Sequence, residues 1–479
     1  MTGPVFRNDW RSLRPPELGR WTPRRTVSVV VPAYDCADTL PLTLAALSEQ
    51  SYPQDLLEVL VVDDGGAVPV RLAGPRPAGT RVVATDPRHG WGSAAARQTG
   101  AEHATGEVVL WLDSDMLPFR EHVEAQVRWH EVADDVVTLG YKRFVDAPLA
   151  TPAEVVRRVR AGQEEALVDA SVPRLPHDWI EAIVDRTCGL AEAGWDAFRV
   201  LVGATASVRA DLLAASGGLD VSLKLAEDSE AGYRLYNQGA VFVPEPRAAA
   251  FHLGPSTVMT TKERVIAYNR PHVAQRMPLP RFRRRAQGPL WDVPVVAVGV
   301  DVTAHCIDPS GVDALVATLL AVAGGPLHDF QVRLAGPWRT LDEGRWSPLR
   351  DDRMPFRLVR EYVRADPRFV LVDGPDAMAG TDPAVPFVTR LPAGARLGPQ
   401  ALERVVDTMV RTDLGLLAAT VGGAVDPGLR VHRVAALNRA RRLSGSATPG
   451  DDVVSAVSGG RWFRGEDLDV HAVDVPVSA

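Results

Sequence analysis

The sequence predicts an α/β protein with two domains, each built on a mostly parallel sheet. Three observations carry this reading. Short β-branched runs alternate with amphipathic helical stretches almost from end to end, the pattern of βαβ units. Two early runs stop in paired carboxylates, on the rim where such sheets bind ligands. At 479 residues the chain is also too long for a single core.

The elements follow in order. After a Pro- and Arg-rich leader (1–25), TVSVVVPAY (Thr26 to Tyr34) is a compact strand stopped by Pro32. Leu and Ala spaced by three and four residues then mark a helix that starts near Asp38 or Thr39 and ends before Pro53. LLEVLVVDDGG (Leu56 to Gly66) is a second strand, closing in Asp63 and Asp64. GTRVVATD gives a third strand and GWGSAAARQTG the start of an Ala-rich helix. EVVLWLDSDMLP gives a fourth strand that carries Asp113 and Asp115. The stretch from Thr151 to Val202 reads as mainly helical, and short strands and one helix follow up to Ser256. RMPLPRFRRRAQGPLW (276–291), rich in Pro and Arg, is expected to be an interdomain linker with some structure of its own, and 292–479 a second α/β domain. There FVTRLPAGARLGP parallels VLWLDSDMLP, with Pro392 and Gly394 where the first has Asp113 and Asp115. The second domain is therefore expected to be non-catalytic, either a degenerate copy of the first or an unrelated α/β unit.

The bulk numbers exclude several classes. A balance of 53 Lys and Arg against 60 Asp and Glu, net charge −7, argues against a protein that coats nucleic acid. Cys36, Cys188 and Cys306 stand far apart, without the spacing of a zinc site or disulfide framework, which points to a cytoplasmic, reducing setting. No apolar run approaches a membrane span. Arg281, Arg283, Arg284 and Arg285 offer a basic face for an anionic acceptor or for peripheral contact with a membrane, though such runs are commonly solvated linker. GxGxxG and GxxxxGK[ST] are both missing, which weakens dinucleotide and P-loop readings.

Paired carboxylates leaving a strand suit a hard divalent cation, because Mg²⁺ and Mn²⁺ prefer oxygen ligands and substrate phosphates. The bland alternative is a turn, where Asp is common. The ordered series VPAYD, VVDDGG, GWGSAAARQTG, LDSDMLP, EDSEAGYRLYNQG and AFHLG resembles the inverting family 2 nucleotide-sugar glycosyltransferases of GT-A fold, in particular bacterial polysaccharide polymerases of the chondroitin-synthase type. The resemblance spans about Val27 to Ser256.

That resemblance implies a transferase moving a sugar from a nucleotide sugar, UDP-linked by preference, to a hydroxyl of a glycan or related acceptor, with Mn²⁺ or Mg²⁺. Pro32, Ala33, Tyr34 and Asp35 look like the loop against base and ribose, and Asp63 like the acid that meets uracil. Arg97 or its helix N-terminus is expected at the diphosphate, Asp113 at ribose and metal, and Asp115 and His252 on the metal. Asp228 is expected as the base that deprotonates the acceptor, with Glu227 as alternative or support, while Glu230 and Arg234 face solvent or pair with each other. KLAED stands where polymerase-type relatives often carry Trp-Gly-Gly before the ED, which leaves the acceptor open. The rival reading is a non-catalytic nucleotide-sugar-binding or scaffold protein of a polysaccharide assembly system; a nucleotidyltransferase is weaker. The second domain is expected to position the acceptor or to support self-association.

Overall fold

The computed structural model describes residues 4–146, 150–256, 261–283, 291–306, 309–341, 344, 346–374 and 382–473. The chain divides into two compact units, Met1–Val273 and Ala274–Ala479.

In the first unit the order is β1 (Val27–Ala33), α1 (Leu40–Leu47), β2 (Leu57–Asp63), β3 (Gly79–Ala84), α2 (Ser93–His103), β4 (Val108–Leu112), β5 (Met116–Pro118), α3 (His122–Val127), β6 (Val136–Val145), α4 (Pro152–Arg160), α5 (Asp178–Arg186), β7 (Thr205–Arg209), α6 (Ala210–Ala215), α7 (Glu227–Asn237) and β8 (Val241–Leu253). Eight strands lie in the order β3-β2-β1-β4-β7-β6-β8-β5. The β3-β2-β1-β4 half is parallel, as the βαβ pattern requires, and β6 pairs parallel with β8. Strand β7 runs antiparallel to both β4 and β6, and β5 antiparallel to β8, so the sheet is more mixed than the sequence suggests.

Val29, Val30 and Val31 are all fully buried, which explains the unbroken apolar run of β1: both faces of the strand are covered. One cover is α2, whose Ala94, Ala95 and Ala96 are buried. A Cβ on Gly100 would overlap Val30, so only glycine lets this helix approach so closely.

The fourth sequence run is two strands rather than one. Strand β4 stops at Leu112, a turn closes with Met116 N–H donating to Asp113 O at 3.2 Å, and β5 leaves to pair with β8. The leader also belongs to this unit. Buried Asn8 donates its amide to Leu190 O and Phe242 O, both at 2.9 Å, and accepts from Phe242 N–H at 2.8 Å. Trp10 packs edge-on against Trp129.

In the second unit the strands are β9 (Val296–Asp301), β10 (Phe330–Gly336), β11 (Phe369–Asp373), β12 (Phe387–Arg390), β13 (Ala395–Leu397), β14 (Leu416–Val421), β15 (Ala424–Arg433), β16 (Gly460–Phe463) and β17 (Val470–Ala472). Seven of them form the order β11-β10-β9-β12-β15-β14-β16, and β13 pairs with β17. This repeats the order of the first sheet, except that the part of β8 is divided between β16, which pairs with β14, and β17, which pairs with β13. The pairs β9–β10, β10–β11, β9–β12 and β14–β16 are parallel, and β12–β15, β14–β15 and β13–β17 antiparallel, each direction matching its counterpart. The registers also match: β1 sets Val27 beside Val108 and β9 sets Val296 beside Phe387, which places Pro392 and Gly394 at the positions of Asp113 and Asp115. Likewise Met116 faces His252 and Ala395 faces Ala472, so Ala472 stands where the first unit has His252.

The 276–291 segment carries structure of its own where it is described, including a short helix at Pro280–Arg283. Arg283 is buried, donates to Asp329 Oδ2 at 2.6 Å and lies 4.9 Å over the Trp291 ring. The side chains of Arg281, Arg284 and Arg285 lie outside the described residues. Among the described residues, no helix is long and apolar enough to cross a membrane.

Candidate nucleotide-sugar site

Strands β1, β2 and β4 deliver their carboxyl ends to one rim, with Ala33 in register with Asp63 and Asp113 directly after Leu112. The turn bearing Asp113 and Asp115 is tied on three sides. Asp113 N–H donates to Ala204 O at 3.1 Å, Leu253 N–H to Asp115 O at 2.9 Å, and the Thr43 hydroxyl to Ser114 O at 2.9 Å.

This bracing brings Asp113, Asp115 and His252 together, with ligand atoms within 4.8 Å of one another. His252 Nδ1 lies 3.1 Å from Gly254 O, which fixes the proton on Nδ1 and leaves the Nε2 lone pair 3.7 Å from Asp115 Oδ1. Asp115 Oδ1 is buried without a hydrogen-bond partner. Burial pushes the Asp115 carboxyl above its ordinary value; His252 offsets this in part, and the neighbouring Asp113 adds to it. An orphaned carboxylate oxygen beside a free imidazole nitrogen is a donor set that fits a divalent cation.

Arg97 is placed differently from the expectation. Its side chain is buried and both of its terminal nitrogens are engaged, one with Asp113 Oδ1 at 2.6 Å and the other with Glu227 Oε1 at 3.0 Å. It braces the two carboxylates. The Ser93 hydroxyl also donates to Glu227 Oε1. Gly203 makes room for the guanidinium, since a Cβ there would stand 2.5 Å from Arg97 Cζ. Burial alone would raise Asp113, but Arg97 beside it holds the carboxyl below the usual range.

Asp228 opens α7 next to Glu227. The preceding Ala226 has φ 64, a left-handed conformation that a residue with a Cβ adopts at a cost. Asp228 accepts from Ser229 N–H at 2.7 Å, and burial pushes its pKa up to about 6, with Glu227 adding and Arg97 opposing. Glu230 and Arg234 do not face solvent: both are buried and pair with each other at 2.6 and 2.7 Å.

The rim loops sort the remaining expectations. Tyr34 is 60% exposed and offers a free ring face, whereas Ala33 is fully buried in the core beneath the rim, so its side chain cannot touch a ligand. Pro32 is half-buried at the end of β1. Asp35 has φ 45 and accepts from Ala67 N–H at 2.8 Å. Asp63 accepts from Gly65 and Val70 N–H, both at 3.0 Å, the work of a turn acid, and each oxygen keeps a second lone pair for a ligand. Asp64 clamps the next loop through Gly92 N–H at 2.7 Å and Thr85 at 3.0 Å.

Two features lie beyond the sequence reading. Lys224, in the variant KLAED stretch, donates to Trp91 O at 2.6 Å and lies 5.2 Å over the Trp91 ring, which is 66% exposed. Lys142 on β6 is buried among the site's acids; burial brings its pKa down to about 8 against the pull of Asp113, Asp228 and Asp115. The only hint in sequence is a charge inside an otherwise strand-like run.

The chain is 29% identical over 238 residues to the pre-mycofactocin glycosyltransferase of Mycobacterium tuberculosis, a match covering 48% of this chain and 43% of that protein. It is 26% identical over 294 residues to the chondroitin synthase of Escherichia coli, covering 57% of this chain and 42% of that one. The chain thus spans less than half the length of these relatives. Among solved structures, a mannosyltransferase of Pyrobaculum calidifontis in complex with GDP-Man and Mn²⁺ matches with 20% identity and a TM-score of 0.35, covering 55% of this chain and 68% of that one. Residues 28–168 match the model of glycosyl transferase family 2.

Proposed function

We propose that the N-terminal unit transfers a sugar from a nucleoside-diphosphate sugar, UDP-linked by preference, to a hydroxyl of a glycan or related acceptor. The observation that carries this is the buried, orphaned oxygen of Asp115 facing Asp113 and His252, in one site with the raised carboxyl of Asp228. Asp113, Asp115 and His252 would hold Mn²⁺ or Mg²⁺, whose positive charge stabilises a departing diphosphate. Tyr34 lies flat against the base, and Asp63 accepts from the ring N–H of uracil.

The chemistry is a single displacement with inversion. The acceptor oxygen bonds to the anomeric carbon while its proton passes to Asp228. The bond from that carbon to the diphosphate oxygen breaks and leaves its electron pair on the nucleotide. A carboxyl with a pKa about 6 is a serviceable base near neutrality. Arg97 keeps Glu227 and Asp113 in place on either side. Pro392, Gly394 and Ala472 stand at the matching positions of the second unit, which supports a non-catalytic role for it in acceptor positioning or self-association. The cytoplasmic setting inferred from scattered free cysteines belongs to this same proposal.

The test is UDP binding with Mn²⁺, and release of UDP from a panel of UDP-sugars, by wild type, Asp115→Ala and Asp228→Ala. Wild type should bind UDP and turn over at least one donor. Asp115→Ala should lose the Mn²⁺-dependent binding, while Asp228→Ala should keep binding and lose transfer. Wild type inert in both assays would leave the scaffold reading in its place.

A further inference from the structure

Strand β6 reaches the site through an irregularity. Gly140 is paired with Glu245 and the next residue, Tyr141, with Ala249, so the pairing skips along β8 at this point. Gly140 permits it, because a Cβ there would meet Thr205 Oγ1 at 2.8 Å and Ala248 O at 3.0 Å. Beyond the irregularity Lys142 is in register with Ala250 and Phe144 with His252, so Lys142 and Phe144 share the sheet face that bears the His252 ring. The Phe144 and His252 rings are 4.8 Å apart, and the Lys142 ammonium lies 5.7 Å from the Phe144 ring.

The side chain of Lys142 is buried, yet no hydrogen bond from its ammonium occurs among the described residues. An ammonium carries three N–H groups, which without protein acceptors are left for water or a ligand. Its charge interacts most with Asp113, then with Asp228, and least of the three with Asp115. Asp113 and Asp228 are thus both near enough to act on its charge. Beside it is a cavity of about 30 Å³ whose lining includes Lys142, His177, Glu181 and Thr205.

In a single displacement the transferred group must lie between the base and the leaving oxygen, because the reacting atoms have to be aligned. We propose that Lys142 donates hydrogen bonds to the transferred sugar, and so selects the donor by its sugar and not by its nucleotide. A flexible stem with three rotatable donors suits the hydroxyl or carboxylate oxygens of a sugar ring. This rests on the nucleotide-sugar reading of the site.

The experiment measures dissociation constants for UDP, UDP-glucose, UDP-N-acetylglucosamine and UDP-glucuronic acid with Mn²⁺, for wild type, Lys142→Met and Lys142→Arg. UDP binding should change by less than about twofold in both variants, while at least one UDP-sugar loses about tenfold in Lys142→Met, the scale of a hydrogen bond to a charged group. Lys142→Arg keeps the charge, so it gives the same comparison should Lys142→Met fold poorly. Equal losses for UDP and the UDP-sugars, or no loss for any of them, overturn the assignment. Wild type that binds no UDP overturns the nucleotide-sugar reading first, whatever the variants do.

Discussion

Replacing Arg97 with Met removes one guanidinium and strands two carboxylates. The side chains are 6% exposed for Arg97, 9% for Glu227 and 29% for Asp113, so the Glu227 pair lies in the interior and the Asp113 pair is partly screened. Breaking a buried pair by deleting one partner costs about 3–5 kcal/mol, chiefly through the uncompensated charge left behind. Discounting the Asp113 side for its exposure, the expected loss is about 3 kcal/mol at pH 7, read from urea unfolding. The sign with pH follows from Asp113. Arg97 holds its folded pKa below the unfolded value, so this contribution is present above about pH 4 and fades as pH falls through the lowered folded value. The gap between wild type and variant should narrow in acid. A triple variant, Arg97→Met with Asp113→Asn and Glu227→Gln, removes the stranded charges and should recover at least about 1 kcal/mol of the loss. A single variant that costs less than about 1 kcal/mol, or a triple variant less stable than the single one, refutes the bracing role.

The remaining predictions concern the base and the leader. The rate of UDP release should fall on the acid side with an inflection near 6, because only ionised Asp228 accepts a proton and Glu227, Arg97 and Lys142 are the charges that face it. Asp228→Asn should remove that limb together with about 10²–10⁴-fold of the rate; a limb near the ordinary carboxylate value of about 4 would point to another base. Asn8→Ala leaves the backbone groups of Leu190 and Phe242 without buried partners and should cost about 2–3 kcal/mol in thermal or urea unfolding, whereas a cost below about 0.5 kcal/mol would mean the leader is only laid on the surface.

Much of the fold was legible because its signals are local. The β-branched run of β1, the Leu spacing of α1 and the small residues of α2 each report burial of a segment within a few residues of itself. The turn acids Asp63, Asp113 and Asp115 were legible for the same reason, since a strand end shows its carboxylates in sequence. Even the repeat in the second unit showed itself, as FVTRLPAGARLGP against VLWLDSDMLP, although only the paired registers establish the correspondence. The pairing of Arg97 was not legible because its partners, Asp113 and Glu227, come from two other elements. The docking of the leader was not legible for a similar reason: Asn8 is satisfied by backbone groups from β8 and the segment before β7.

By itself, then, the sequence determined where strands and helices run and which strand ends carry acids, because hydrophobic period and turn chemistry act over a few residues. Tertiary structure decided which charges meet. His252 reaches Asp115 only because β5 turns back to pair with β8. Lys142 enters the acid cluster only because the β6–β8 pairing skips at Gly140. Arg97 is a brace because burial leaves its charge no partner but the carboxylates packed against it. Electrostatic energy depends on separation and on the loss of water, and neither quantity is encoded in spacing along the chain.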